Sequence, residues 1–176
     1  MMDDWVVKAD HNGYWLHAGR RVVVAQIGRS GVIRAADKRE ETRYPLWALA
    51  GTGGLLSARP GAVSGNDSSL SPLTVDCGWC DDVTSPDYNR YVKRPCDFRH
   101  EQMWRHDEAY DFVVELGYND DPVVTGHGSA IFLHCTAAGR TSTAGCVAVN
   151  QADLAGIIES ASANQNLLIP EALLTS

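Results

Sequence analysis

Hydrophobic positions along this chain alternate with polar ones far more often than they recur with a helical period. Trp5–Val7, Tyr14–His17 and Arg21–Ile27 are short segments rich in Val, Ile and aromatic residues, separated by Asn12-Gly13 and Gly19. That pattern predicts strands, the first two closed into a hairpin by the Asn-Gly turn. A turn from Gly28 leads to a short predicted strand at Val32-Ile33, and Leu46–Ala50 reads as another. Residues 51–74 break the pattern: twelve of these 24 are Gly, Ser or Pro. They predict a long surface loop inside one domain spanning 1–176. Residues 76–108 are charged and aromatic, with Glu101–Asp107 expected as a short helical turn.

The alternation is cleanest in the second half. Over Tyr110–Tyr118, Phe112, Val114, Leu116 and Tyr118 take one face, and Asp111, Val113 and Glu115 the other. Over Ser129–His134, Ala130, Phe132 and His134 share a face opposite Ile131 and Leu133. Cys135, next in line, then points away from His134. Val147–Val149 is a short apolar strand. Asn150 followed by Asp153 reads as a helix start, and Leu154, Ile157, Ile158 and Ala161 form that helix's apolar stripe. The prediction is a mainly β domain with one clear helix near the C-terminus.

Composition narrows the function. With 176 residues and 44% hydrophobic positions, the chain can bury a core. Fifteen Lys and Arg against 22 Asp and Glu leave a net charge of −7, which argues against nucleic acid as the partner. No apolar run approaches the roughly 20 residues of a membrane-spanning helix. The opening Met1-Met2-Asp3-Asp4-Trp5 carries acids where a secretory signal carries bases and an apolar run, so an export signal is not expected here.

Five cysteines, at 77, 80, 96, 135 and 146, leave at least one thiol free within a single chain. Gly126-His127-Gly128-Ser129-Ala130-Ile131-Phe132-Leu133-His134 is followed by Thr143-Ala144-Gly145-Cys146-Val147-Ala148-Val149. A His on one strand and a Gly-Cys opening the next bring imidazole and thiol together. A nearby imidazole is expected to lower the thiol from its free value of about 8.5. Gly145 lets the backbone approach, so its amide and that of Cys146 are candidates to face an oxyanion. The plainer alternative is a small buried Cys146 and a hydrogen-bonded core His134.

These two motifs resemble the catalytic core of the L,D-transpeptidases (the YkuD-like family). Gly78-Trp79-Cys80-Asp81-Asp82, Tyr88-Asn89-Arg90, Glu101-x-Met103-Trp104-Arg105-x-Asp107, Tyr110-Asp111, Gly117-Tyr118-Asn119 and the stretch Gly28 to Glu40 are similar to the single-domain branch of that family. The likeness covers most of residues 22–158. It implies an L,D-transpeptidase-like β-sandwich with one or two short helices, and a transferase acting on peptidoglycan stem peptides in the periplasm or cell envelope. On that resemblance Cys146 is the nucleophile, His134 the base and Gly145 part of the oxyanion hole. No cofactor is implied. A thioester forms at a diamino acid with release of D-alanine, followed by cross-linking or hydrolysis, and carbapenems act as surrogate amides. Two positions depart from the family: Ala144 stands where many members have His, and Thr42-Arg43-Tyr44-Pro45 replaces a Thr-Pro-x-Gly turn.

Further candidates surround this pair. Arg140 is placed to grip a carboxylate through its planar fork. His127 and Ser129 are candidate substrate contacts, and Trp79, with Tyr88 and Trp104, either floors a peptide groove or packs in the core. Cys77, Cys80, Cys96 and His100 have the spacing of a zinc site, but a disulfide or free thiols are favoured over zinc there, and a redox pair comes last. A zinc-stabilised binding module with an inert His134 and Cys146 is the alternative function.

Overall fold

The computed structural model describes residues 4–28, 32–33, 41–45, 57–58, 71–161, 166–170 and 173–175. In chain order the strands are β1 (Trp5–Asp10), β2 (Gly13–Ala18), β3 (Arg21–Gln26), β4 (Val32–Ile33), β5 (Glu41–Pro45), β6 (Ser57–Ala58), β7 (Ser71–Pro72), β8 (Cys77–Cys80), β9 (Tyr91–Lys93) and β10 (His100–Gln102). They continue with β11 (Phe112–Glu115), β12 (Phe132–Cys135), β13 (Val147–Val149), the helix α1 (Gln151–Glu159), β14 (Asn166–Pro170) and β15 (Leu174–Thr175). One curled sheet runs β5-β14-β1-β2-β3-β13-β12-β11-β6-β7; β10-β8-β9 form a second, and β15-β4 a small third.

The predicted hairpin forms as β1 and β2, with Asp10 opposite Gly13. Val32-Ile33 is a strand, as its two β-branched residues indicate. Leu46–Ala50 and most of 51–74 lie outside the described residues. Two pieces of that predicted loop are strands instead: β6 pairs with β11 and β7 with β6. Glu101–Asp107 does not begin as a helical turn. Its first residues belong to β10, whose backbone is taken up by β8. Asn166–Pro170, passed over in the sequence, is a strand beside β1, and its Leu167 and Ile169 are fully buried.

The central strands are apolar on both faces. Phe112, Val114, Leu133, Cys135, Val147 and Val149 belong to the main core with Leu154, Ile157 and Ile158 of α1. Val113, Phe132 and Cys146 belong to a second cluster with Cys77, Trp79, Met103 and Tyr110. The strand period of two therefore sorts one sequence into two cores. β11 and β12 pair antiparallel, Val113 opposite His134, whereas β12 and β13 pair parallel, Leu133 opposite Val147 and His134 opposite Ala148.

Asn150 caps α1: its side chain accepts the Asp153 N–H at 3.0 Å. That holds a single helix of nine residues, apolar on the side facing β11 and β12, so the clear helix predicted near the C-terminus is where the sequence put it. No helix among the described residues is long and apolar enough to cross a membrane. Leu154→Ala, at a fully buried position, should lower unfolding free energy by about 2–5 kcal/mol. Asn150→Ala should lower it by about 1 kcal/mol, and Asn150→Asp should hardly change it. Urea denaturation followed by circular dichroism measures all three.

Candidate active site

A cavity of about 770 Å³ opens where β12 and β13 meet the loops on either side of them. Cys146, Gly145, His134, Arg140 and Ser129 all line it, as do Glu101, Arg105 and Tyr110, which the sequence reading had not assigned to the site. Register explains the pairing of His134 with Cys146. His134 lies opposite Ala148, and Cys146 lies two residues back along the same strand path. Both side chains therefore emerge from the same face, on neighbouring strands. Cys135 is turned into the opposite core, where its Sγ donates to the Phe112 carbonyl at 3.8 Å. The assignment of faces made from the alternation holds.

The chemistry of the pair differs from the expectation in one respect. His134 and Cys146 share the cavity wall, but the thiol is hydrogen-bonded elsewhere. Cys146 Sγ donates to the Ala130 carbonyl at 3.3 Å and lies 3.4 Å from the Phe132 N–H. Burial pushes the thiol up to about 12, opposed by the Phe132 N–H, with Glu101 adding to the rise and Arg105 countering it. No imidazolium draws it down. Burial also lowers His134 below its ordinary 6.5, with Arg105 adding to the fall and the bonds to the Cys135 and Ala109 carbonyls opposing it. Both partners are thus neutral at pH 7. His134 Nδ1 lies 2.7 Å from the Cys135 carbonyl oxygen, which can only accept. Nδ1 therefore carries the proton and Nε2 holds the lone pair.

Gly145 departs from its expected role too. Its N–H donates to Thr143 Oγ1 at 3.2 Å, while that hydroxyl donates to the Cys146 carbonyl at 2.6 Å. The expected aim at an oxyanion is thus not the resting arrangement, because the hydroxyl two residues back takes the amide. The turn these bonds build needs Gly145 at φ 136°, a conformation open to glycine. Ala144 is exposed on the cavity rim.

A charged cluster forms the far wall. Arg105 donates to Asp107 through Nε at 2.8 Å and Nη2 at 2.6 Å, and to Glu101 through Nη1 at 3.3 Å. Tyr110 Oη donates to the same Glu101 oxygen at 2.7 Å, beneath the Arg105 guanidinium at 5.0 Å and edge-on to His134 at 5.3 Å. Arg105 holds Asp107 down at about 2. The motifs Glu101-x-Met103-Trp104-Arg105-x-Asp107 and Tyr110-Asp111 name all four members, but nothing in their spacing gives the residues a role at the site. Arg140 is exposed and makes no salt bridge among the described residues.

The remaining candidates fall outside the cavity wall. His127 is exposed, its carbonyl accepting Tyr118 Oη at 2.5 Å. Trp79 is buried core, edge-on to Phe132 at 5.1 Å, and does not floor a groove. The zinc set does not assemble. Cys77 and Cys80 sit three apart on β8, so they point to opposite faces, and the two thiols of a knuckle cannot converge from a strand. No group of three or more His, Cys, Asp or Glu among the described residues is arranged to hold a metal ion. All five cysteines are free thiols, so no disulfide links them either.

Comparison with protein families, with curated proteins and with solved structures finds no match to this chain.

The buried thiol makes a direct prediction. Iodoacetamide alkylation of Cys146, followed by mass spectrometry of its peptide, should be slow at pH 7 and still rise about tenfold per pH unit at pH 10, because thiolate accumulates only toward about 12. A plateau below pH 9 would mean that a cation stabilises the thiolate after all.

Proposed function

We propose that this protein is a cysteine acyltransferase acting on peptidoglycan stem peptides, an L,D-transpeptidase or L,D-carboxypeptidase with the β-sandwich-like fold of that family. The observation that carries this is the convergence of Cys146 and His134 on one cavity from adjacent parallel strands. The motif resemblance at Gly128–His134 and Thr143–Val149 supports it independently.

The neutral pair prescribes how the reaction runs. As Cys146 Sγ attacks the carbonyl carbon of the diamino acid, its proton passes to His134 Nε2, so charge develops only as the new S–C bond forms. The Gly145 N–H, held by a long bond to Thr143 Oγ1, turns to the oxyanion. The C–N bond to D-alanine breaks, and the imidazolium returns its proton to the leaving amine. The thioester then meets an amine of a second stem, or water, whose proton goes to Nε2 before the thiol is released. Nδ1–H stays on the Cys135 carbonyl throughout and fixes the tautomer. Arg140, exposed and in no salt bridge among the described residues, takes the substrate's free carboxylate. The substrate places the protein in the periplasm or cell envelope.

A carbapenem should add one inhibitor mass per chain, on the peptide containing Cys146, and the adduct should vanish in Cys146→Ala. His134→Ala should slow acylation by at least about a hundredfold, and Cys135→Ala should change it little. The acid limb of the rate should lie below pH 6.5, since His134 is a base only above its lowered pKa. Intact-mass spectrometry over time reads all of these. No adduct, together with no D-alanine released from a tetrapeptide stem, rejects the proposal.

A further inference from the structure

The thiol's resting position depends on a carbonyl in an unusual conformation. Ala130 has φ 56°, the left-handed region that a non-glycine residue enters at a cost of about 1–3 kcal/mol unless its neighbours hold it there. Its carbonyl accepts the Cys146 thiol at 3.3 Å, and its N–H donates to Asn89 Oδ1 at 3.1 Å. Asn89 is itself at φ 56° and is 2% exposed.

Every bond the Asn89 side chain can make is used. Oδ1 also accepts from Trp79 Nε1 at 2.9 Å, and Nδ2 donates to the carbonyls of Tyr118 at 2.9 Å and Asn119 at 2.8 Å. A primary amide has two N–H donors and two acceptor lone pairs, so the count closes. The partners come from β8 and from both ends of the loop between β11 and β12. Asn119 continues the tie, donating to the Gly128 carbonyl at 2.9 Å. Gly128, at φ 102°, lies where a Cβ would meet the Tyr118 ring at 3.0 Å. The segment that carries Ala130 is therefore fastened by Asn119 and Tyr118 at Gly128 and His127, and at Ala130 itself by the Asn89 amide.

We infer, on the acyl-transfer reading above, that Asn89 is the positioning residue of the nucleophile: by fixing the Ala130 backbone it sets the carbonyl that orients and shields the Cys146 thiol. A purely structural amide would support the fold without a selective effect on that thiol. Asn89 does not itself line the cavity or bond to Cys146; it reaches the site through the N–H of Ala130, which does line it.

Cys135 provides the control inside the same molecule, a thiol buried on the other face of the sheet, on the neighbouring strand β12. The rates of iodoacetamide alkylation of Cys146 and Cys135 at pH 8 are compared in the native protein, Asn89→Gly and Asn89→Asp. Glycine accepts φ 56° without strain, so this substitution removes the side chain and leaves the backbone. Cys146 in Asn89→Gly should react on the order of tenfold faster as water reaches it, with Cys135 unchanged. Carbapenem acylation of the same variant should fall by on the order of tenfold to a hundredfold, as expected for a misplaced nucleophile. Asn89→Asp keeps the acceptor for the Ala130 N–H while giving up both donors to the Tyr118 and Asn119 carbonyls; because the Ala130 bond is the one that positions the thiol, it should hold the native ratio of the two thiols. That variant decides the matter should Asn89→Gly fail to fold. A parallel rise at Cys146 and Cys135, an unchanged ratio in Asn89→Gly, or a raised ratio in Asn89→Asp overturns the inference. If the native protein takes no carbapenem, the function proposed above falls, and the alkylation ratios alone decide the role of Asn89.

Discussion

The parallel register of β12 against β13 is the constraint on which the site depends. Side chains alternate faces along a strand, so a slip of one residue would carry Cys146 or His134 through to the opposite core. The register cannot slip cheaply because both strands are apolar on both sides. Leu133, Cys135, Val147 and Val149 are fixed against the helix, and Phe132 and Cys146 in the cluster they share with Cys77 and Trp79 of β8. The loop joining the strands is tied at its two ends: the Thr136 N–H reaches the Val149 carbonyl and the Thr143 N–H reaches the Ile27 carbonyl. The juxtaposition of imidazole and thiol is thus a consequence of how the core packs.

That origin has a chemical consequence. A site assembled from core strands inherits the low polarity of the core, and charge is disfavoured there for acid and base alike. Burial raises both Cys146 and Cys135, to about 12 and about 11. Acidity therefore does not distinguish the two thiols in this fold. Access does. Cys146 opens on the cavity beside His134, whereas Cys135 faces only the side of the strand that packs under α1. In such a site a proton is better moved during attack than before it, since a standing ion pair would have to exist unsolvated.

The sequence disclosed what depends on local periodicity and hid what depends on distant partners. The alternation over Phe112–Tyr118 and Ala130–Cys135 separates the two faces correctly because burial follows the strand period. The helix start at Asn150 is legible because the cap and its partner are three residues apart. Spacing misled where it suits two geometries. Cys-x-x-Cys makes a metal knuckle on a turn, but on β8 it sends the thiols apart. Glu101 and Arg105 form an i,i+4 pair as a helix would, yet β8 takes the backbone of Glu101 into a sheet. Asn89 stands in the motif Tyr88-Asn89-Arg90, but its role is not legible there, since its bonds reach residues 10, 29, 30 and 41 positions away.

The two arginines in the cavity show how saturation sorts residues of one type. Arg105 directs three N–H groups at two carboxylates and lies over the Tyr110 ring, so its charge is balanced and its side chain fixed. An incoming carboxylate would have to displace Asp107, whose ionised form Arg105 already stabilises. Such an exchange gains little, because one charge-assisted pair replaces another. Arg140 has no such partner among the described residues, and it is exposed on the loop that also carries Gly145 and Cys146. On the acyl-transfer reading the division follows from this: Arg105 shapes the wall and holds Glu101 and Tyr110 around His134, and Arg140 is left to meet the substrate. At the thiol, Arg105 and Glu101 oppose each other and burial is the largest influence, while Arg140 lies exposed, where binding a carboxylate breaks no salt bridge among the described residues.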